Sequence, residues 1–580
     1  MSRRFLKYSL LFSCALAPAL SLYCLLGLFV DYFFWDEWNL LVRFSTYIFY
    51  RNPYAWNILW EPHFSHRLVL LKLLSTASFH VFGGNQLPLL LLAWLVQVGL
   101  LIVLVTGKHM RPVPSTLFAG GSVFLSLLLF SPAMTLAWVW PVCLQQLLTT
   151  LFFCWAMIRV GHIGQGSNWI MTSFLAVLCT YSSGNGVIVW PACVLLGVMI
   201  RIPAKQLILL ATVGGLTLLT YFHDLPVERV GTGGDASLQD KIAYVLAFLG
   251  SPLSRGNLGA AIACGAIGLV LYCILCLVAF RQHRVEPIIA LSLAWLSIGS
   301  ACAGAGYRIG DGGIEQALVD RYVPLIMPFW ASILLACLCM SSFPRFRVVT
   351  LAGVGTLSLL SYLPLLGPGP IDPKAFRGSS HSFVRVAHEA LRERVLVTSD
   401  TNPYVNLFPS PIGVLDGLAD MRQHAIGPFR HTPWYTTRLG TALGDFGPVC
   451  DDCGPAGSLD AVEAPFGDID PCREGYEKGA IARGILKVHS NRVREILLVN
   501  AQDQVVGVGF PIGQFRFGQD PTTIIWSEER HWIGFVSGGH LPQELDQRKV
   551  SGFARLERGS RLAPLVGEIH VGADLTACNS

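Results

Sequence analysis

Apolar runs of about twenty residues, the length that crosses ~30 Å of hydrocarbon, recur along residues 1–366 and then stop. They fall near 8–30, 87–105, 115–131, 143–160, 168–182, 186–200, 206–222, 258–280, 287–304, 322–341 and 347–366. The pattern predicts about eleven transmembrane helices, with the pair flanking Ser183 short and closely spaced. Segment 66–82, HRLVLLKLLSTASFHVF, is apolar as well, but its Arg67, Lys72 and His80 predict a helix lying in the membrane interface. The first run follows Arg3, Arg4 and Lys7, yet it lacks a small-x-small cleavage site and many runs follow it. It reads as an uncleaved first helix.

After GPGP at 367–370, a hinge signal, the pattern changes. Short helices are expected near 382–395 and 411–423. From about 485 the chain alternates in the two-residue period of strands: REILLVNAQDQVVGVGF, TTIIWSEERHWIGFV and VSGFARLE. Two domains follow from this reading. Residues 1–366 form a polytopic α-helical membrane domain. Residues 367–580 form an α+β domain with a helical preface at about 371–430 and a β-sandwich at about 485–577. Trp526, Trp532 and Phe535 sit at strand spacing, as core aromatics would, and a carbohydrate-contacting face is the alternative.

Composition supports the division. Of 580 residues, 53% are hydrophobic and 14% charged, against roughly 25% charged in soluble domains. Residues 1–370 hold 21 Lys/Arg and 12 Asp/Glu, whereas 371–580 hold 21 and 25. The basic residues of the membrane region (Arg3/Arg4/Lys7, Lys108/Arg111, Arg159, Arg201/Lys205, Arg281/Arg284, Arg345/Arg347) fall in alternate connections. They predict a cytoplasmic N-terminus and an extracytoplasmic C-terminal domain. Under that topology 11 of the 12 acids lie on the outer side and only Glu286 is inside. Acids hardly influence orientation, so the asymmetry points to a functional outer face. Twelve of the sixteen cysteines lie in or beside apolar runs, where Cys acts as a small hydrophobe. Cys450, Cys453, Cys472 and Cys578 lie in the outer domain and suggest two disulfides with the pairing open.

The expected outer connections carry polar residues in aromatic or glycine-rich settings. The first, DYFFWDEWNL through EPHFSHR (31–67), holds Asp36, Glu37, Glu61, His63, His66 and Arg67. Later ones hold Trp138 and Trp140, then Asn185 in YSSGNGVIVWP. Arg308, Glu315, Gln316, Arg321 and Tyr322 follow in GAGYRIGDGGIEQALVDRYVP. Irregular backbone at membrane depth is tolerated where it lines a cavity or is covered by protein, so one shared outward-facing cavity is expected. A carboxylate in an aromatic setting suits a general base. Arg67, Arg308 and Arg321 suit phosphate, and tryptophan faces suit sugar rings. Asp36, Glu37 and His63 are the candidate ligands should a divalent metal bind, and His63 and His66 would share one face if 63–66 were helical.

FFWDEW (33–38), EPHFSHRLVLLKLL (61–74), SSGNGVIVWP (182–191) and GIEQALVDRY (313–322) resemble the C-fold (GT-C) class of integral-membrane glycosyltransferases, over about residues 1–366. That class carries its base in an acidic pair of the first extracytoplasmic loop, the position of Asp36 and Glu37. The resemblance implies an inverting sugar transfer in a bacterial inner membrane from a polyprenyl-phosphate donor. The acceptor would be an envelope glycan, lipid or protein, and a divalent metal assists in some members. Membrane lipid is the other expected partner, and no nucleic acid is. A transporter or flippase would show internal repeats and ionisable groups at mid-span, which the chain lacks. A non-catalytic component of an envelope polysaccharide system stays open.

Overall fold

The computed structural model describes residues 3–571 except 30–32, 34–35, 49–55, 64–65, 111–112, 164–168, 226–235, 255, 341–351, 354, 357, 360–361, 363–385, 387–388, 391, 394, 397–420, 425, 430–437, 451–452, 464–476, 488–492, 518–523, 543, 545–547 and 557–560. The chain divides into two compact units. One contains 1–26, 56–75 and 88–367; the other contains 27–55, 76–87 and 368–580. The expected break near 367 is a unit boundary, but two short N-terminal segments belong with the C-terminal residues.

The helical unit is built from α1 (Arg3–Leu28), α2 (Val69–Phe82), α3 (Leu87–Thr106), α4 (Ser115–Leu129), α5 (Leu144–Val160), α6 (Trp169–Thr180), α7 (Val189–Met199), α8 (Ala204–Phe222), α9 (Leu238–Ser254), α10 (Leu258–Gln282), α11 (Val285–Ser292), α12 (Ala294–Tyr307) and α13 (Val323–Cys339). Among the described residues, seven helices are long and apolar enough to cross a membrane: Leu87–Thr106, Leu117–Val139, Pro141–Val160, Ala204–Phe222, Leu258–Gln282, Val285–Tyr307 and Asp320–Cys339. This is consistent with a membrane-embedded protein. The expected spans at 168–182 and 186–200 are shorter than the sequence suggested. α6 has 12 residues and α7 has 11, about 18 Å and 17 Å long. The span expected at 347–366 falls mostly outside the described residues. α2 has 14 residues, about 21 Å, short of a bilayer core.

α9 was not expected. It opens with Leu-Gln-Asp-Lys and so does not stand out by hydropathy, yet it buries Tyr244, Phe248 and Leu249. It lies unusually close to α10, because Gly250 faces the backbone of Ala261 and Gly265 faces the backbone of Leu246. A side chain at either glycine would overlap the facing carbonyl. Asn257 caps α10 by accepting from Ala260 N at 2.9 Å, and His283 ends it in the left-handed conformation, φ 50°.

α13 is the buried axis of the unit, with every side chain from Val323 to Cys339 buried. Pro328 cannot donate to Pro324 O, four residues back. The Thr150 hydroxyl supplies that bond at 2.9 Å. One residue on, Ser297 is inserted in the ladder, with Oγ donating to Leu325 O (2.7 Å) and accepting from Phe329 N (3.1 Å). Neighbouring hydroxyls thus satisfy the backbone that the proline frees, the arrangement expected where water is excluded.

In the second unit the strands are β1 (Val395–Leu396), β2 (Gly457–Ser458), β3 (Ala461–Glu463), β4 (Glu477–Ile485), β5 (Val493–Val499), β6 (Val505–Phe517), β7 (Ile524–Ser537), β8 (Lys549–Leu556) and β9 (Leu562–His570). They form one sheet, ordered β1-β4-β7-β6-β5-β8-β9-β2 with β3 on β4. β1 runs parallel to β4 and β2 parallel to β9; the other pairings are antiparallel. The expected β-sandwich is therefore corrected to a single sheet that closes on itself. Gly457 pairs with Leu565 of β9 on one side and with Leu486, just past β4, on the other. Lys487 N donates to Ala456 O at 2.8 Å and Leu459 N to Val566 O at 2.9 Å.

The enclosed core includes Ile496, Leu498, Val506, Trp532, Val536, Ala554 and Leu565. Trp532 is fully buried and donates to Ser458 O at 2.9 Å, and Phe535 is fully buried too. Both are core aromatics rather than carbohydrate contacts; the side chain of Trp526 lies outside the described residues. On β5 the alternate position, Glu495, turns from the core to Arg555 (2.9 Å) and Arg438 (3.6 Å). Cys450 and Cys453 form a disulfide, while Cys472 and Cys578 lie outside the described residues. The twelve cysteines of the helical unit are free.

Candidate functional site

The irregular segments singled out in the sequence come together in two groups within the helical unit. In the first group, 61–67 meets 181–186 and the end of α8. His63 and His66 are paired through their backbones, His63 N to His66 O at 2.7 Å and His66 N to His63 O at 3.0 Å. Residues 63–66 are thus a tight reversal of the chain, which corrects the expectation of two histidines on one helical face. Pro62 ahead of it disfavours a helical start. The His66 ring lies directly over Gly184, where any Cβ would overlap it. That contact explains the glycine in SSGNG. Ser183 Oγ accepts from Asn185 N at 3.3 Å, starting the short helical turn that leads into α7.

Arg67 is buried, and its guanidinium is engaged by main-chain carbonyls. Nε donates to Tyr221 O at 2.7 Å, Nη1 to Trp60 O and Nη2 to His223 O. Its backbone N donates to Tyr221 Oη at 3.2 Å. The geometry is a clasp across the C-terminal end of α8, whose last carbonyls lack helical partners. Around it Trp60, Tyr181 and Tyr221 form an aromatic cluster, with ring centroids 5.3 Å (Trp60–Tyr181) and 6.0 Å (Tyr181–Tyr221) apart. Glu61 is exposed.

Lys72, one turn into α2, reaches back to the same loop. Its Nζ donates to Ile58 O (3.0 Å) and Glu61 O (2.7 Å). Burial pushes its pKa down to about 8; Glu61 opposes the shift and Arg67 adds to it. The unfolded value is near 10.4, so the unfolded chain holds more protons between about 8 and 10.4 and stability rises with pH across that window. Below it the cost of burying the charge is carried in full. Thermal unfolding followed from pH 7 to 10.5 should show this rise, and Lys72→Met should flatten it; a parallel curve for the variant would refute the assignment.

In the second group, 314–318 packs on α9, and 320–322 packs on 132–139. The Arg321 guanidinium lies 5.1 Å above the Tyr322 ring and donates to its Oη at 3.3 Å. Tyr322 contacts Phe248 at 5.9 Å between ring centroids. Arg308 is half-buried at the end of α12, Glu315 and Asp320 are exposed, and Gln316 folds over Gly312. Trp138 is 3% exposed and donates to Gln97 Oε1 at 3.0 Å. It is an internal strut, not an open platform. The two groups are linked through α12, where Gly299 contacts Ile188.

The acidic pair belongs to the other unit. Asp36 is half-buried, and Glu37 is 1% exposed with its Oε2 accepting from Gln86 Nε2 at 3.1 Å. A six-residue π-helical turn, Trp38–Arg43, follows directly; such turns recur at functional sites. Trp38 donates to Phe33 O at 3.1 Å, and the Phe33 ring packs between Phe79 (5.7 Å) and the backbone at Gly427. Gly427 N in turn donates to Gly83 O at 3.3 Å. The acids are thus set in a packed aromatic frame. Gln86 has no signal in the sequence, since it lies 49 residues from its partner.

Among the described residues, no group of three or more His, Cys, Asp or Glu side chains is arranged to hold a metal ion. Comparison with protein-family models, curated proteins and solved structures finds no match, so the site is read from its own residues.

Proposed function

We propose that this chain is a membrane glycosyltransferase that moves a sugar from a polyprenyl-phosphate donor to an envelope glycan, lipid or protein. The observation that carries the reading is the acidic pair directly after α1. One carboxylate, Glu37, is buried and fixed by an amide; its neighbour Asp36 retains access to solvent. A buried, oriented anion beside an accessible one suits a positioned base. Asp36 takes the proton of the acceptor hydroxyl as that oxygen attacks the anomeric carbon. The bond to the lipid phosphate then breaks and the configuration inverts. Glu37 holds the turn that presents Asp36. Arg308 and Arg321 are the cations for the departing phosphate, whereas Arg67 is engaged in its clasp. A divalent metal, if one binds, would supply the same charge.

The acids fall on the outer face and the C-terminal domain outside, in a bacterial inner membrane with a cytoplasmic N-terminus. Alkaline phosphatase fused after Pro370 should be active, and a well-expressed but inactive fusion would reverse the orientation. The function itself is tested with the purified chain in nanodiscs. Transfer of labelled sugar from a prenyl-phosphate donor is expected from the wild type and not from Asp36→Asn. A transporter would move the labelled lipid across the bilayer without releasing prenyl phosphate, and that result would replace the enzymatic reading.

A further inference from the structure

Gln146 and Ser300 are 7% and 4% exposed, and neither Gln146 Oε1 nor Ser300 Oγ has a hydrogen-bond partner among the described residues. The fold brings them towards one place. On α5, Thr150 bonds Pro324 O, and Gln146 lies one turn earlier on the same face. On α12, Ser297 bonds Leu325 O, and Ser300 lies one turn later. Because α5 leaves this end of the unit and α12 approaches it, both steps lead from the α13 axis towards the turn at 320–323. The same turn packs on 135–139, which holds Trp138. Two helices therefore direct an amide oxygen and a hydroxyl, both buried, to the chain just ahead of α13.

Buried polar atoms without partners are costly and uncommon, and a ligand that satisfies them removes the cost. An amide oxygen accepts and a hydroxyl does either, so the matching ligand is neutral and rich in hydroxyls. The charged groups nearby, Arg308 and Arg321, are only half-buried. We infer that this recess takes the sugar ring of the donor, with Gln146 and Ser300 reading its hydroxyls and the phosphate left towards the arginines. The identity of the ligand as a donor sugar rests on the glycosyl-transfer reading; the recess itself does not.

The test uses the full chain in nanodiscs and ligand-observed saturation-transfer NMR with methyl β-D-glucoside, methyl β-D-galactoside and methyl α-D-mannoside as probes. The wild type should saturate at least one of them. Gln146→Leu and Ser300→Ala should each lower that signal at least five-fold, and Asp36→Asn should leave it unchanged. Without sugar, Ser300→Ala should unfold at the wild-type temperature or above, since it deletes an unsatisfied group; this separates lost binding from lost folding. The inference is overturned if no glycoside binds the wild type or if both variants bind as well as it does. A lowered unfolding temperature for Ser300→Ala also overturns it, because the hydroxyl would then be satisfied from within, by an ordered water. Binding without any transfer would leave the recess standing and remove the enzymatic reading alone.

Discussion

Asp36→Asn should lower sugar transfer by roughly 10²–10⁴-fold, the range that a positioned general base contributes, in a chain that still folds and inserts. The loss should appear in kcat, with KM little changed, because proton abstraction is an interaction of the transition state. Glu37→Gln should cost far less. A glutamine at 37 can still accept from Gln86 Nε2 through its carbonyl oxygen, so the bond at 3.1 Å is kept and only the charge is lost. Glu37→Ala is the harsher change, since it leaves the buried Gln86 amide without that acceptor. A label-transfer assay on the three variants, each checked for monodispersity, separates these roles. Wild-type rates for both Asp36→Asn and Glu37→Gln would eliminate the acidic pair as the source of the base. Loss confined to Glu37→Gln would exchange the two roles.

The second large effect is structural. Arg67→Ala should destabilise the helical unit by roughly 3–5 kcal/mol, the scale for removing one member of a buried charged network. The guanidinium answers three carbonyls from three directions, at Trp60, Tyr221 and His223. Arg67→Lys should recover little, because one ammonium on a flexible stem cannot reproduce a planar fork. Thermal unfolding in nanodiscs gives the magnitude. Limited proteolysis between Trp56 and Arg67 gives the location, since that segment should become the first site of cleavage. Full stability of Arg67→Lys would show that charge alone, without the fork, holds the end of α8.

What could be read from the sequence follows the range of the forces involved. Long apolar runs report their own solvent, so the helices at 87–106, 204–222 and 258–282 are visible from residues alone. α9 is not, because its buried face is made of Tyr244, Phe248 and Gly250 behind a polar first turn. The strands of the C-terminal half show in their alternation, yet the closure of the sheet depends on GPAGSL, whose glycine, proline and serine read as a loop. At the candidate site the residue types were visible and their engagements were not. Arg67 looks like a phosphate ligand until Tyr221 is found 154 residues away. Trp138 looks like a sugar platform until Gln97 is found beneath it. Both partners lie on other helices, beyond any local pattern.

The packing of Phe33 against Gly427 sets an order of assembly. A translating ribosome makes the acidic turn within the first tenth of the chain, but the partner that finishes its aromatic frame follows about four hundred residues later. Contacts of such long range form late and slowly. The closed sheet of that unit adds a further delay, since β2 must wait for β9 at Leu562–His570. A chain stopped before Leu562 would therefore carry all its membrane helices and both acids, yet lack the strand that closes the sheet of the acids' own unit.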